Sequence, residues 1–147
     1  MKEALLEHLK THLDSRMNNA LEAMQAAQSS ANLETKSSAG DKYETGRAMA
    51  QIERDRHAQL YDQIRQERAV LDRIDPNYTF QRVGLGALVH TSAGAFFIAV
   101  SVGLVEIAGE KVIAVSPQSP LGVSLMGKQK GDEFMFQQKK CVVQEIS

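Results

Sequence analysis

A helical period that runs for some seventy residues and stops at one proline is the feature that most constrains this chain. From Lys2 to about Gln28, Leu6, Leu9, Leu13, Met17, Ala20, Met24 and Ala27 recur at steps of three and four with no Gly or Pro among them. That spacing is one apolar face of a helix or the seam of a coiled coil. A second periodic stretch runs to about Ile74 with Met49, Ile52, Leu60, Ile64, Leu71 and Ile74 on one face, and it weakens near Arg56 and His57. Ser29 to Ser38 separates the two, rich in residues that favour turns and caps. Neither helix can bury its stripe alone. At about 1.5 Å per residue each is roughly 40 to 50 Å long, and the simplest arrangement is an antiparallel hairpin with residues 29 to 40 at its distal end.

Asp75-Pro76-Asn77 ends the second helix, because Pro cannot continue it and restricts the residue before it. The runs Arg82 to Leu88, Val89 to His90, Ala95 to Val105 and Lys111 to Val115 are β-branched or aromatic and punctuated by glycines, which argues strands joined by tight turns. Phe134 to Phe136 and Cys141 to Val143 read as a last hairpin around Gln137 to Lys140. Ser119-Pro120-Leu121-Gly122 through Met126-Gly127-Lys128 spells a short helix, with a Ser cap, Pro at the first helical position and a closing Gly. The expected fold class is therefore α+β: a helical hairpin over residues 1–75, then a small sheet with one short helix over residues 76–147.

Charge divides the same way. Residues 1 to 75 hold 11 Lys+Arg and 13 Asp+Glu, whereas residues 76 to 147 hold 6 and 5, so the first half is solvated and the second has a compact-core composition. The formal net charge of −1 supplies no global basic field for indiscriminate binding to nucleic acid or anionic lipid. No apolar run approaches the roughly 20 residues of a membrane span, and acids occupy the place of a signal-peptide core; a cytoplasmic protein is expected. A single cysteine, Cys141, excludes an internal disulfide framework or a multi-cysteine zinc site.

Asp41-Lys42-Tyr43-Glu44 places two carboxylates three residues apart where the second helix begins. Two carboxylates so spaced suit Mg²⁺, which is typically held by one or two protein acids plus water and phosphate oxygens. They equally suit a helix start, with Asp41 as N-cap and Glu44 reaching back to the backbone. Both readings stay open on spacing alone. Thr45-Gly46-Arg47-Ala48 follows, and a Gly inside a helix costs about 1 kcal/mol relative to Ala. Lys36, Lys42 and Arg47 near this point suit phosphate or acidic partners, or simple solvation. His8 and His12 share a helix face with no third ligand in view, and Cys141 in a strand reads as a small hydrophobe. Alternation along Phe96-Phe97 predicts one ring in the core and one turned outward, as a contact or under a cover.

Taken together, the hairpin, the small sheet and the stretch Val115-Ser116-Pro117-Gln118-Ser119-Pro120 to Gly127-Lys128-Gln129-Lys130-Gly131-Asp132 resemble the bacterial Gre-type transcript cleavage factors. The Ser-Pro, Gly-Lys and Gly-Asp pairs fall in the order of that family, and Asp41-x-x-Glu44 has the form of its tip acids. The resemblance implies an FKBP-like C-terminal domain with an antiparallel sheet and a coiled coil that enters the secondary channel of RNA polymerase. Asp41 and Glu44 would there help hold a second Mg²⁺ of the polymerase site and position water, so that the polymerase cleaves the 3′ end of backtracked RNA. The protein would have no active site, cofactor or small-molecule ligand of its own and would meet nascent RNA only indirectly. It would dock through a surface that includes Ser119, Pro120, Gly122 and Lys128. The expected function is thus a transcription elongation factor. The alternatives are a channel-binding regulator without cleavage activity and a coiled-coil adaptor unrelated to transcription.

Overall fold

The computed structural model describes the backbone of residues 1–36 and 40–147, and the side chains of residues 1–33 and 45–147. Two long helices come first, α1 (Lys2–Lys36) and α2 (Gly40–Asp72). They run antiparallel: Asp14 accepts from the Arg68 guanidinium at 2.9 Å, and Lys10 stands 3.9 Å from Asp72. By compactness the chain forms two units, Thr11–Arg68 and a second composed of Met1–Lys10 with Ala69–Ser147.

Within Thr11–Arg68 the first helix is longer and the seam is looser than the sequence pattern suggests. The polar stretch from Ser29 does not end α1, which continues to Lys36. Nothing there breaks a helix: Ala31 is buried, and Gln28 donates to Asn32 one turn on at 3.2 Å. Of the distal end expected over residues 29 to 40, residues 29–36 are therefore helix and Gly40 already belongs to α2, while residues 37–39 lie outside the described residues. The α2 stripe is also narrower than expected. Ile64 is buried, but Met49 and Ile52 are 64% and 60% exposed. At 3.6 residues per turn Ile52 points about 120° away from Ile64, so a loose three-and-four count joined residues that do not share a face. The outer charges do support the helix locally, with Asp62 accepting from Arg65 at 2.8 Å and from Gln66 at 2.9 Å.

The other unit is a sheet covered on both sides. Past α2 the Asp75 carboxylate accepts from Asn77 N–H at 2.9 Å, a side-chain turn that redirects the chain after the last helical residues. Six strands follow: β1 (Leu88–Thr91), β2 (Gly94–Ile98), β3 (Gly103–Ile107), β4 (Glu110–Val115), β5 (Glu133–Phe136) and β6 (Lys139–Ile146), with helix α3 (Pro120–Leu125) between β4 and β5. Their spatial order is β3-β4-β2-β1-β6-β5. The fold is α+β as expected, but the sheet is mixed rather than antiparallel, because β4 runs parallel to β2 and antiparallel to β3. The run Ala95 to Val105 breaks into two strands so that β4 can insert between them. Arg82 to Leu88 is mostly not strand: Val83 exchanges 2.9 Å hydrogen bonds with Gly127 and Lys128, and Gly86 takes φ 95°.

Strand pairing assigns the two faces. Val89, Phe96 and Ile113 lie in one row, and with Ile98, Leu125, Phe134, Cys141 and Val143 they build the core beneath α3. The Phe96 ring meets Phe134 and Phe136 edge-on at 6.5 and 5.5 Å. Leu88, Phe97 and Ala114 form the row facing the other way, and all three are buried. Phe96 and Phe97 are both 0% exposed, so the outward ring expected from alternation is a covered one. The same unit contains the inner ends of α1 and α2, where Leu5, Leu9, Leu71 and Ile74 are buried; Ile74 packs close against Gly86.

Candidate functional site

Asp41 and Glu44 fall in the opening of α2, which starts at Gly40. Asp41 is thus already helical in backbone rather than the residue preceding the helix, and its side chain and that of Glu44 lie outside the described residues, as do those of Lys36 and Lys42. Arg47 is exposed one turn further on.

The α3 region is defined atom by atom. Ser119 caps the helix: its Oγ accepts from Gly122 N–H at 3.0 Å and donates to the Ser116 carbonyl at 2.8 Å. Pro120 follows at the first helical position, where its missing N–H costs nothing. Gly122 is buried, and a Cβ there would lie 1.9 Å from the Ser116 carbonyl oxygen, far inside van der Waals contact. Only glycine fits that approach. Lys128 is half-buried, and its backbone joins Val83 to the end of α3. Of the four residues expected to meet a partner, Ser119 and Gly122 therefore serve the helix itself, whereas Pro120 is exposed and the Lys128 side chain is partly so.

Sequence reasoning missed two neighbours of Pro120. Val123 and Met126 are 64% and 39% exposed, while Leu125 is fully buried. Pro120, Val123 and Met126 recur every third residue and make an apolar ridge opposite the face that packs on the sheet. That signal was legible in principle, because a helix this short cannot bury apolar residues on both sides. Beyond it, with its side-chain amide oriented so that the oxygen faces the guanidinium, Gln129 accepts from Arg82 at 2.6 Å, and Gln129 N–H donates to the Asp132 carboxylate at 2.8 Å. The Gly131-Asp132 turn is tied to β6 by two bonds with Val143, at 2.7 and 2.9 Å.

The remaining candidates stand apart from these two regions. Cys141 is buried in the Phe96 core with its Sγ 3.7 Å from the Lys139 carbonyl, and His8 and His12 are exposed on α1. No group of three metal-ligating side chains occurs among the described residues, and no described helix is long and apolar enough to cross a membrane. Lys2 donates to the Tyr78 carbonyl and sits 5.1 Å from the Phe80 ring centre. Burial pushes its ammonium pKa below the ordinary range, with Asp75 opposing the shift.

No protein-family model and no curated protein matches the chain. A solved structure described as that of the transcription factor Gfh1 is similar over 93% of this chain and 92% of that one, with a TM-score of 0.37 and 21% sequence identity.

Proposed function

We propose that this protein is a Gre-type regulator of RNA polymerase, acting in the cytoplasm, which inserts the α1–α2 connection into the secondary channel and stimulates cleavage of backtracked RNA. The observation that carries the reading is the position of Asp41-x-x-Glu44 immediately after the connection between two antiparallel helices, in a chain that also holds the Ser119-Pro120, Gly127-Lys128 and Gly131-Asp132 signature. Paired carboxylates are oxygen donors of the kind Mg²⁺ takes, and a bound divalent ion lowers the pKa of water so that it attacks phosphorus at neutral pH. Asp41 and Glu44 add negative charge beside the polymerase's own site and orient the water. The chain itself is no enzyme. Docking uses the Pro120–Val123–Met126 ridge with Lys128 at its end.

A second reading, a channel-binding regulator without cleavage activity, draws on one observation: the backbone of α2 already includes Asp41, and an acid at a helix start is accounted for by helix electrostatics alone. Stalled, backtracked elongation complexes with end-labelled RNA and Mg²⁺ separate the two. Short 3′ fragments with wild type, absent with Asp41→Asn plus Glu44→Gln, support cleavage. Retained polymerase binding without fragments from wild type leaves the second reading, and no binding at all overturns both.

A further inference from the structure

Arg82, Lys128 and Lys130 are half of the six Lys and Arg residues between 76 and 147, and they come together where the chain leaves α3. Val83 exchanges backbone hydrogen bonds with Gly127 and Lys128, which lays Arg82 beside that loop, and the oriented Gln129 amide accepts from the Arg82 guanidinium at 2.6 Å. Arg82 and Lys130 are exposed and Lys128 is half-buried. None of the three forms an ion pair among the described residues. The nearby acids are otherwise engaged: Asp132 accepts from Gln129 N–H at 2.8 Å, and Glu133 lies 3.3 Å from Lys140. A chain of net charge −1 thus keeps a local surplus of positive charge that starts two residues beyond Met126, the last member of the apolar ridge Pro120–Val123–Met126.

We propose that the ridge and these cations together seat an acidic segment of a protein, one in which Asp or Glu side chains flank an apolar residue. The inference rests on the polymerase reading above and names the chemistry of its docking partner, a carboxylate-rich patch with an apolar centre on RNA polymerase. Val123 and Met126 lose exposed apolar surface on contact, which is the main source of affinity. Exposed charge pairs contribute little each and act chiefly on the rate of encounter and on the choice of partner. The ridge therefore holds and the cations select. Arg82, already oriented by Gln129, gives up less side-chain freedom when it pairs with a carboxylate. Nucleic acid fits the same surface less well. Its phosphates would pair the cations, but Val123 and Met126 would then face a charged, hydrated backbone, and a chain of net negative charge offers a polyanion no long-range attraction.

Fluorescence anisotropy of the labelled full chain with bacterial core RNA polymerase tests this across a range of salt. Lys128→Glu plus Lys130→Glu is expected to weaken binding by about tenfold at about 100 mM salt, with the gap closing to about threefold or less at about 500 mM. Val123→Ser is expected to weaken it by about fivefold at every salt concentration, because salt does not screen an apolar contact. Carbodiimide, which joins a lysine amine to a carboxylate with loss of water and no spacer, should couple Lys128 or Lys130 to an Asp or Glu of the polymerase. Charge reversal at the coupled acid should then restore binding of the doubly reversed variant to within about threefold of wild type. Circular dichroism and thermal unfolding check that each variant keeps its fold. Polymerase binding that the lysine changes leave unaltered, or a complex with no cross-link at either lysine, overturns the inference and leaves the polymerase reading standing. A wild type that does not bind polymerase overturns both. Equally tight binding to single-stranded RNA alone, lost in the same lysine variant, assigns the cations to phosphate and overturns the inference as well.

Discussion

Between Thr11 and Arg68 the buried apolar side chains among the described residues are Leu13, Ala20, Ala31 and Ile64, whereas one strand of the sheet, β2, alone buries Phe96, Phe97 and Ile98. The helical unit packs one thin seam of which half is alanine. The sheet packs two faces, one under α3 and one carrying Leu88, Phe97 and Ala114. Apolar area removed from water stabilises by about 25 cal/mol per Å², so the two regions differ in how firmly they are held even though both are regular structure. The thinly packed region also keeps its large apolar side chains, Met49, Ile52 and Leu60, in solvent, where they are available to partners.

Truncating one core residue in each region tests that contrast most severely. Phe96→Ala removes the ring at the centre of the core beneath α3 and is expected to destabilise by about 4 kcal/mol, against about 2 kcal/mol for Ile64→Ala. Thermal or urea unfolding measures both, and amide exchange should show the Thr11–Arg68 amides opening at lower free energy than those of β2. Equal costs, or equal protection, would break the comparison. Gly122→Ala comes next. A methyl group cannot share space with the Ser116 carbonyl, so α3 must shift on the sheet, at about 2 to 3 kcal/mol; a neutral outcome in the same unfolding assay would mean that α3 is not seated as tightly as the 1.9 Å approach requires.

The smallest expected effect is on the exposed surface of α2. Hydrogen bonds from Arg65 and then Gln66 hold the Asp62 carboxyl below the usual carboxylate range. A depressed folded-state value contributes stability that is present above the unfolded pKa and is lost as pH falls through the lower folded value. Asp62→Asn should therefore lower helix stability slightly at neutral pH and make no difference once wild type is protonated in acid. Because the group is in water, salt should erase most of the gap. Paired melts at neutral and acid pH read it out.

Much of this was legible along the chain. The three-and-four period announced α1 and α2, Asp75-Pro76-Asn77 announced their end, and Ser119-Pro120 announced α3, because each is a local matter of periodicity, dihedral restriction or hydrogen bonding within a few residues. The carboxylate pair Asp41 and Glu44 was equally visible, and its chemistry rests on side chains outside the described residues. Less legible was anything that required knowing the neighbour. Ile52 looked like seam until the helix rotation was set by Ile64. Alternation left open whether the outward ring of Phe96-Phe97 is a contact or covered until both rings were found buried, and the close approach of Gly122 to the Ser116 carbonyl leaves no trace in the sequence.

The sequence by itself determined that two long helices come first, that they end at Asp75-Pro76-Asn77 and that Ser119-Pro120 opens a short helix, since caps, prolines and apolar periods act through bonds that are near in the chain. Tertiary structure alone decided that β4 slides between β2 and β3 and makes the sheet mixed, and that both faces of β2 are dry. Those outcomes depend on which surfaces meet across long loops, and burial is a property of the assembled neighbours rather than of any residue's own type.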